Sequence, residues 1–161
     1  MSDFFKPSEI IALAVELEKT GEAFYRAMSL KVNDPAAKKL LQSLSEDEVK
    51  HKETFSQMLR SAGEYKPAEN FDGEYYYYLK SYSDEHVFNR QAADKYMNSQ
   101  SITVDTVLSL SISAEKDSIL YYTDLANFVP VQERGVVEKI IAQEREHFRK
   151  LVELRKTAVK K

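Results

Sequence analysis

The 161-residue sequence contains no cysteine, and it has only four glycines and four prolines. Without cysteine the chain can form no disulfide, thiolate nucleophile, iron–sulfur cluster or cysteine-held zinc, so carboxylate and imidazole must hold any metal. So little glycine and proline, in a chain rich in Ala, Leu, Glu and Lys, argues against a turn-rich β fold and for helix. No apolar run is long enough to cross a bilayer, so no membrane is expected as partner. Met1–Pro7 has no positively charged region followed by an apolar one, so no secretory signal is expected and the expected location is cytoplasmic. The 23 basic residues are interspersed with 26 acidic ones for a net charge of -3, with no basic stripe, and nucleic acid is not an expected partner. The length fits one domain over 1–161, large enough to bury a core.

Four segments have helical periodicity: about 9–32, 35–62, 103–128 and 133–156. Ser8 is the expected N-cap of the first, behind Pro7. Asp34 caps the second, Pro35 is its first residue, and Gly63 lies just past its end. The breaks at Val32–Asp34 and Val129–Gln132 are short enough to make two helical hairpins. Between the hairpins lies a stretch over 64–101 with Pro67, Gly73, Tyr75-Tyr76-Tyr77-Tyr78 and one or two short helices. A structureless loop of that length would be anomalous, whereas a crossover joining two hairpins is a known connection of helix bundles. The expected fold is therefore all-α, an antiparallel four-helix bundle of the ferritin-like kind.

The inward stripes of these helices contain charge. The second helix reads Ala37, Leu41, Leu44, Glu48, His51, Phe55, Met58, and the fourth Val137, Ile140, Glu144, His147, Leu151, Leu154. The first reads Ile11, Ala14, Glu18, Gly21, Tyr25, Met28, and the third Val104, Leu108, Ser111, Glu115, Ser118, Tyr122, Leu125. Each helix thus aims one glutamate inward, and two add a histidine. Glu18 and Glu48 are equidistant from the first turn, and Glu115 and Glu144 from the second, roughly 22 Å up each hairpin at 1.5 Å per residue. Glu18 precedes Glu115 by 97 positions, and Glu48 and His51 precede Glu144 and His147 by 96 each. This is an internal duplication. Packed together, its two halves bring all six residues into one layer.

Four buried carboxylates without partners would carry a prohibitive desolvation and repulsion cost. They can be protonated, paired with Lys or Arg, or bound to cations. No lysine or arginine lies on the stripes, and two divalent ions balance four carboxylates. Oxygen and nitrogen ligation suits iron or manganese, and zinc less specifically. The candidate ligands are Glu18, Glu48, His51, Glu115, Glu144 and His147.

Glu18, Glu48-Val49-Lys50-His51, Glu115 and Glu144-Arg145-Glu146-His147 resemble the ligand set of the rubrerythrin branch of the ferritin-like superfamily. Glu16-Leu17-Glu18-Lys19 through Phe24-Tyr25, and Ala114-Glu115-Lys116-Asp117 through Tyr121-Tyr122, resemble short rubrerythrin-like proteins. The likeness covers the four helices and leaves out the crossover. It implies two iron ions, with manganese or a mixed pair as alternatives, and oxygen or peroxide chemistry of the oxidative-stress kind. Rubrerythrins proper carry a rubredoxin domain with iron on four cysteines, which this chain lacks, so an external electron-donor protein such as a rubredoxin is expected. They also carry a further glutamate on the third helix, three residues after the first, where this chain has Ser118.

Tyr25 and Tyr122 lie seven residues beyond Glu18 and Glu115 and are candidates to orient a carboxylate or serve in catalysis, with Tyr121 able to replace Tyr122 and ordinary aromatic core as the plainer reading. His86 has no glutamate three residues before it and falls in the crossover, which points to surface or interface packing. Seven of the ten tyrosines lie in the crossover. Most simply they cover the bundle or a subunit interface, which suggests a homodimer; electron hopping to the metals is the alternative. Three functions compete: a di-iron oxidoreductase reducing hydrogen peroxide or dioxygen, a ferroxidase handling Fe(II), and a bundle whose metals only hold the fold.

Overall fold

Asp34 accepts a hydrogen bond from the Ala37 amide at 2.8 Å and so caps the helix that Pro35 opens, as the sequence predicts. The computed structural model describes residues 7–61 and 73–158. Six helices follow one another: α1 Pro7–Lys31, α2 Pro35–Ser61, α3 Gly73–Glu85, α4 Arg90–Met97, α5 Val104–Leu125 and α6 Val131–Ala158. There is no strand among the described residues, and the fold is all-α. No helix among them is long and apolar enough to cross a membrane. Gly63, Tyr65 and Pro67, which figured in the sequence reading, lie outside the described residues.

Several boundaries differ from expectation. Helix α1 begins at Pro7, so Ser8 sits inside the first turn instead of capping it; proline suits a first helical position, where its missing N–H costs nothing. Helix α6 begins at Val131, two residues early, because Pro130 again fixes the entry and its carbonyl accepts from the Glu133 amide at 2.8 Å. Helix α5 starts at Val104, one residue after the expected Thr103, which caps it: its hydroxyl accepts from the Thr106 amide at 3.1 Å. It ends at Leu125, and the following turn buries Phe128 and Val129.

Helix α1 packs most extensively on α2, and α5 on α6; the two hairpins meet through α2 with α6 and α1 with α5. The predicted stripes of α1 and α2 are buried throughout, and only Val104 and Leu154 of the other two are partly exposed. Full burial of each Leu, Phe or Met contributes roughly 1.5–3 kcal/mol, which offsets the cost of keeping polar groups in the middle of the stripes.

The crossover packs α3 and α4 against α1, and α3 also reaches α5. Leu79, Phe88 and Ala93 anchor it in the core. The Lys31 ammonium, at the end of α1, donates to the carbonyls of Met97 and Ser99 at 2.5 and 2.6 Å. Across the α1–α5 seam, the Tyr121 hydroxyl donates to the Ile10 carbonyl at 3.1 Å.

Candidate metal centre

Because each stripe carries its polar residue at the same height, Glu18, Glu48, His51, Glu115, Glu144 and His147 converge in mid-bundle, each at most 4% exposed. They divide into two groups, Glu18, Glu48, His51, Glu144 and Glu48, Glu115, Glu144, His147; within each, one ligand atom per residue lies within 4.8 Å of all the others. Glu48 and Glu144 belong to both groups. Two ions, one in each group, would share these two residues, while Glu18 with His51 and Glu115 with His147 would complete one group each. Glu144 presents Oε1 to His51 Nδ1 at 2.9 Å and Oε2 to His147 Nδ1 at 3.1 Å.

A test of whether the residues suit metal is what their buried atoms lack. Among the described residues, Glu18 Oε2, His51 Nδ1, Glu115 Oε2 and Glu144 Oε1 have no hydrogen-bond partner. The close approach of His51 Nδ1 to Glu144 Oε1 is not aligned as a hydrogen bond, so both atoms are orphaned. Buried polar atoms rarely stay unpaired, and four of them facing one another are what cations would satisfy. The donor set, oxygen-rich with two imidazoles, fits iron or manganese.

Both imidazoles point Nδ1 inward and use Nε2 elsewhere. His51 Nε2 meets Gln143 Oε1 at 3.1 Å, and His147 Nε2 meets Asp47 Oδ2 at 3.2 Å. Outer hydrogen bonds of this kind fix the ring and raise ligand basicity. Asp47 and Gln143 are duplicates of each other, one residue before Glu48 and Glu144, and each serves the histidine of the opposite hairpin. The sequence reading missed both, although the 96-residue repeat contains them.

The tyrosines also cross over. Tyr25 on α1 donates to Glu115 Oε1 on α5 at 2.5 Å. Tyr122 on α5 donates to Glu18 Oε1 on α1. Tyr121, the alternative to Tyr122, instead bonds the Ile10 backbone. Every glutamate that belongs to a single group therefore has one oxygen held by a phenol and the other left facing inward.

Without ions, protons carry the balance. Burial, then the neighbouring Glu18, holds Glu48 well above the usual carboxylate range, and burial, then Glu144, does the same to Glu115. Burial works against charge on the histidines, but the facing carboxylates of Glu144 and Glu18 push His51 up to about 11, and those of Glu115 and Glu144 push His147 up to about 10. Glu144 goes the other way: burial would raise it, but contact with both imidazoles holds it well below its usual value. Burial, then nearby carboxylates, raises both tyrosines, which therefore remain neutral donors.

His86 corrects the sequence reading: it is 1% exposed, not at the surface. It lies in the link 86–89 between α3 and α4. The Phe88 amide donates to its Nδ1 at 3.0 Å, which leaves Nε2 carrying the proton toward Ser118 Oγ at 3.3 Å. Burial keeps it neutral, with its pKa near 4. Phe88 meanwhile covers Gly21, where a Cβ would come within 2.8 Å of the ring and 3.4 Å of Glu48 Cδ. Gly21 and Ser118 are the positions three residues after Glu18 and Glu115, so the crossover fills both with its own side chains. No helical periodicity could show that a link folds back this way.

These features coincide with what comparison finds. The rubrerythrin family model matches residues 9–102, more than half of the chain, and the chain belongs to the rubrerythrin family. The matched stretch includes the crossover, which the sequence reading had left out of the likeness. The fold is similar to that of a Thermotoga maritima protein, crystallised at 2.30 Å and described as a ferritin-like diiron-carboxylate protein, with 28% identity, a TM-score of 0.72, and 98% of this chain and 99% of that one covered. No curated protein matches the sequence significantly.

Proposed function

We propose that the chain binds two iron ions, one in each four-residue group, and reduces hydrogen peroxide or dioxygen with electrons from a separate donor protein. The observation that carries this reading is the set of four buried, inward-facing ligand atoms with no hydrogen-bond partner among the described residues. Glu18, Glu48, His51, Glu115, Glu144 and His147 would hold the ions; when bound, the pair supplies the two electrons that cleave peroxide to water. The carboxylate-rich set favours the oxidised ions. The chain's own groups fix the ligands: Tyr25 and Tyr122 hold Glu115 and Glu18, while Asp47 and Gln143 orient His147 and His51. The surrounding apolar stripes exclude bulk water. With no cysteine to carry electrons inside the chain, a rubredoxin-type protein fits the role of donor, and oxidant removal in the cytoplasm fits the family.

Anaerobic loading with Fe(II) should saturate at about two ions per chain, as in related bundles. Stopped-flow absorbance should then show faster oxidation by one equivalent of hydrogen peroxide than by air-level dioxygen. A saturation value of one or none refutes the site. Faster reaction with dioxygen, with Fe(II) uptake continuing beyond two, would replace this reading with a ferroxidase.

A further inference from the structure

Ser118 is a buried hydroxyl that does not bond back to its own helix. Two other hydroxyls of α5 do: Ser111, on the same inward stripe, donates to the Val107 carbonyl at 2.8 Å, and Thr123 donates to that of Ile119 at 2.7 Å. Such back-bonding is an ordinary way to satisfy a hydroxyl in mid-helix. Among the described residues, the hydrogen-bond partner of Ser118 Oγ is instead His86 Nε2, at 3.3 Å.

The direction of that bond is fixed from the far side of the ring. The Phe88 amide donates to His86 Nδ1 at 3.0 Å, so Nδ1 has no proton and Nε2 has one. Nε2–H therefore donates and Ser118 Oγ accepts. A serine hydroxyl that accepts still has its own proton to give. With Ser118 5% exposed and His86 1%, bulk water is in no position to take it. A buried donor left unused is costly, so its place calls for an acceptor.

Position shows where that acceptor belongs. Ser118 follows Glu115 by three residues, a spacing that sets Cβ atoms about 5–6 Å apart on one face of a helix. The hydroxyl thus stands at the rim of the group Glu48, Glu115, Glu144, His147. The link that carries His86 lies against the same layer: the charge of Glu144 reaches the His86 ring, and a Cβ on Gly21 would meet both Phe88 at 2.8 Å and Glu48 Cδ at 3.4 Å. The carboxylates there do not take the proton. Glu115 Oε1 accepts from Tyr25, and Glu115 Oε2 and Glu144 Oε1 have no hydrogen-bond partner among the described residues.

We propose that Ser118, aimed by His86, is the hydrogen-bond donor for a small anion of the hydroperoxide class held beside the ions, an inference that rests on the metal reading above. A charged acceptor makes a hydrogen bond roughly twice as strong as a neutral one, and a buried site strengthens it further. Dioxygen is neutral and a poor acceptor, so the donor favours peroxide over it. His86 is a positioning residue that acts through Ser118. With Oγ occupied by Nε2–H on the crossover side, the remaining O–H is directed away from the crossover and into the bundle.

The probe is azide, a small anion that binds without turnover, titrated into Fe(III)-loaded protein and followed by its charge-transfer absorbance. Ser118→Ala should weaken azide binding about 10–100-fold, the loss of one hydrogen bond to a charged acceptor. His86→Leu should weaken it to a similar degree, because the released hydroxyl turns back to the Ala114 carbonyl. His86→Gln, whose amide can donate in place of Nε2–H, should recover part of the loss. The double variant Ser118→Ala, His86→Leu should bind no more weakly than Ser118→Ala alone, since both changes remove one donor. Iron content is measured on every sample. Unchanged azide affinity in fully loaded Ser118→Ala, losses that add in the double variant, or a fully loaded wild type that binds no azide overturns the donor alone. The wild type also serves where a variant does not fold: with zinc in place of iron, saturating azide should shift the proton resonance of His86 Nε2–H, and an unmoved resonance overturns the donor. A protein that takes up no metal overturns the metal reading and the donor with it.

Discussion

The phenol of Tyr25 and the carboxylate of Glu115 lie 2.5 Å apart although 90 residues separate them in the chain. A hydrogen bond this short to a buried carboxylate leaves the other oxygen, Oε2, as the one available to an ion. Tyr25→Phe should leave Glu115 Oε1 unpaired, at about 1–3 kcal/mol in stability. Since Glu115 belongs to one group only, cobalt(II) titration should show affinity lowered about 10–100-fold at one of two sites. An equal loss at both sites would contradict the division into groups.

Asp47 and Gln143 make the two groups unequal. A carboxylate behind His147 strengthens that imidazole as a donor more than the neutral amide behind His51 does. Asp47→Asn should weaken the His147 group selectively, again about 10–100-fold, and bring the two binding steps closer together in a calorimetric titration. Gln143→Glu should strengthen the other group. Unchanged binding steps in both variants would show that these contacts do not tune the ligands.

Chelated protein should lose stability as pH rises. His51 and His147 bind protons more tightly in the fold, with pKa values near 11 and 10, than in the unfolded chain, where histidine titrates near 6.5. Glu48 and Glu115 are raised in the same sense. A raised group contributes stability that is complete below its unfolded pKa and lost as pH climbs toward its folded one. His86, depressed to about 4, acts oppositely: its contribution is present above 6.5 and lost as pH falls toward 4. Ions replace the ligand protons, so the melting temperatures of loaded and chelated protein should diverge from about pH 6.5 to about 10. A gap that narrows over this range would refute the protonated cluster.

Gly21→Ala tests the seat of the crossover. Glycine within a helix costs about 1 kcal/mol relative to alanine, so the substitution would stabilise an ordinary helix. Here the added methyl would meet the Phe88 ring at 2.8 Å. The expected outcome is a net loss, because overpacking a filled core costs about 1–3 kcal/mol. Phe88→Leu in the same chain should recover part of it. A more stable single variant in denaturant melts would mean that Phe88 yields freely.

The hairpins and the inward glutamates were legible because a helix repeats its core face every three or four residues, and a charged residue on that face stands out among Leu44, Phe55, Ile140 and Leu151. Equal distances from the turns then set Glu18 level with Glu48, and Glu115 level with Glu144. What periodicity could not show was traffic between segments without a shared register. His86 and Phe88 come from a link with no stripe of its own, and only the folded chain places them at Ser118 and Gly21. Asp47 and Gln143 were hidden for another reason. They lie beside the core stripe, where a polar residue is ordinary, and their meaning depends on which histidine they face.

The composition of the two groups has a consequence for when the centre can mature. One takes Glu18, Glu48 and His51 from the first hairpin but needs Glu144 from the last helix; the other takes Glu115, Glu144 and His147 from the second hairpin but needs Glu48 from the first. Neither cage can close within a nascent chain that has released only its first half. On the proposed metal reading, capture of the ions would be postponed until α6 has left the ribosome and docked, so an incompletely made molecule would have no finished centre.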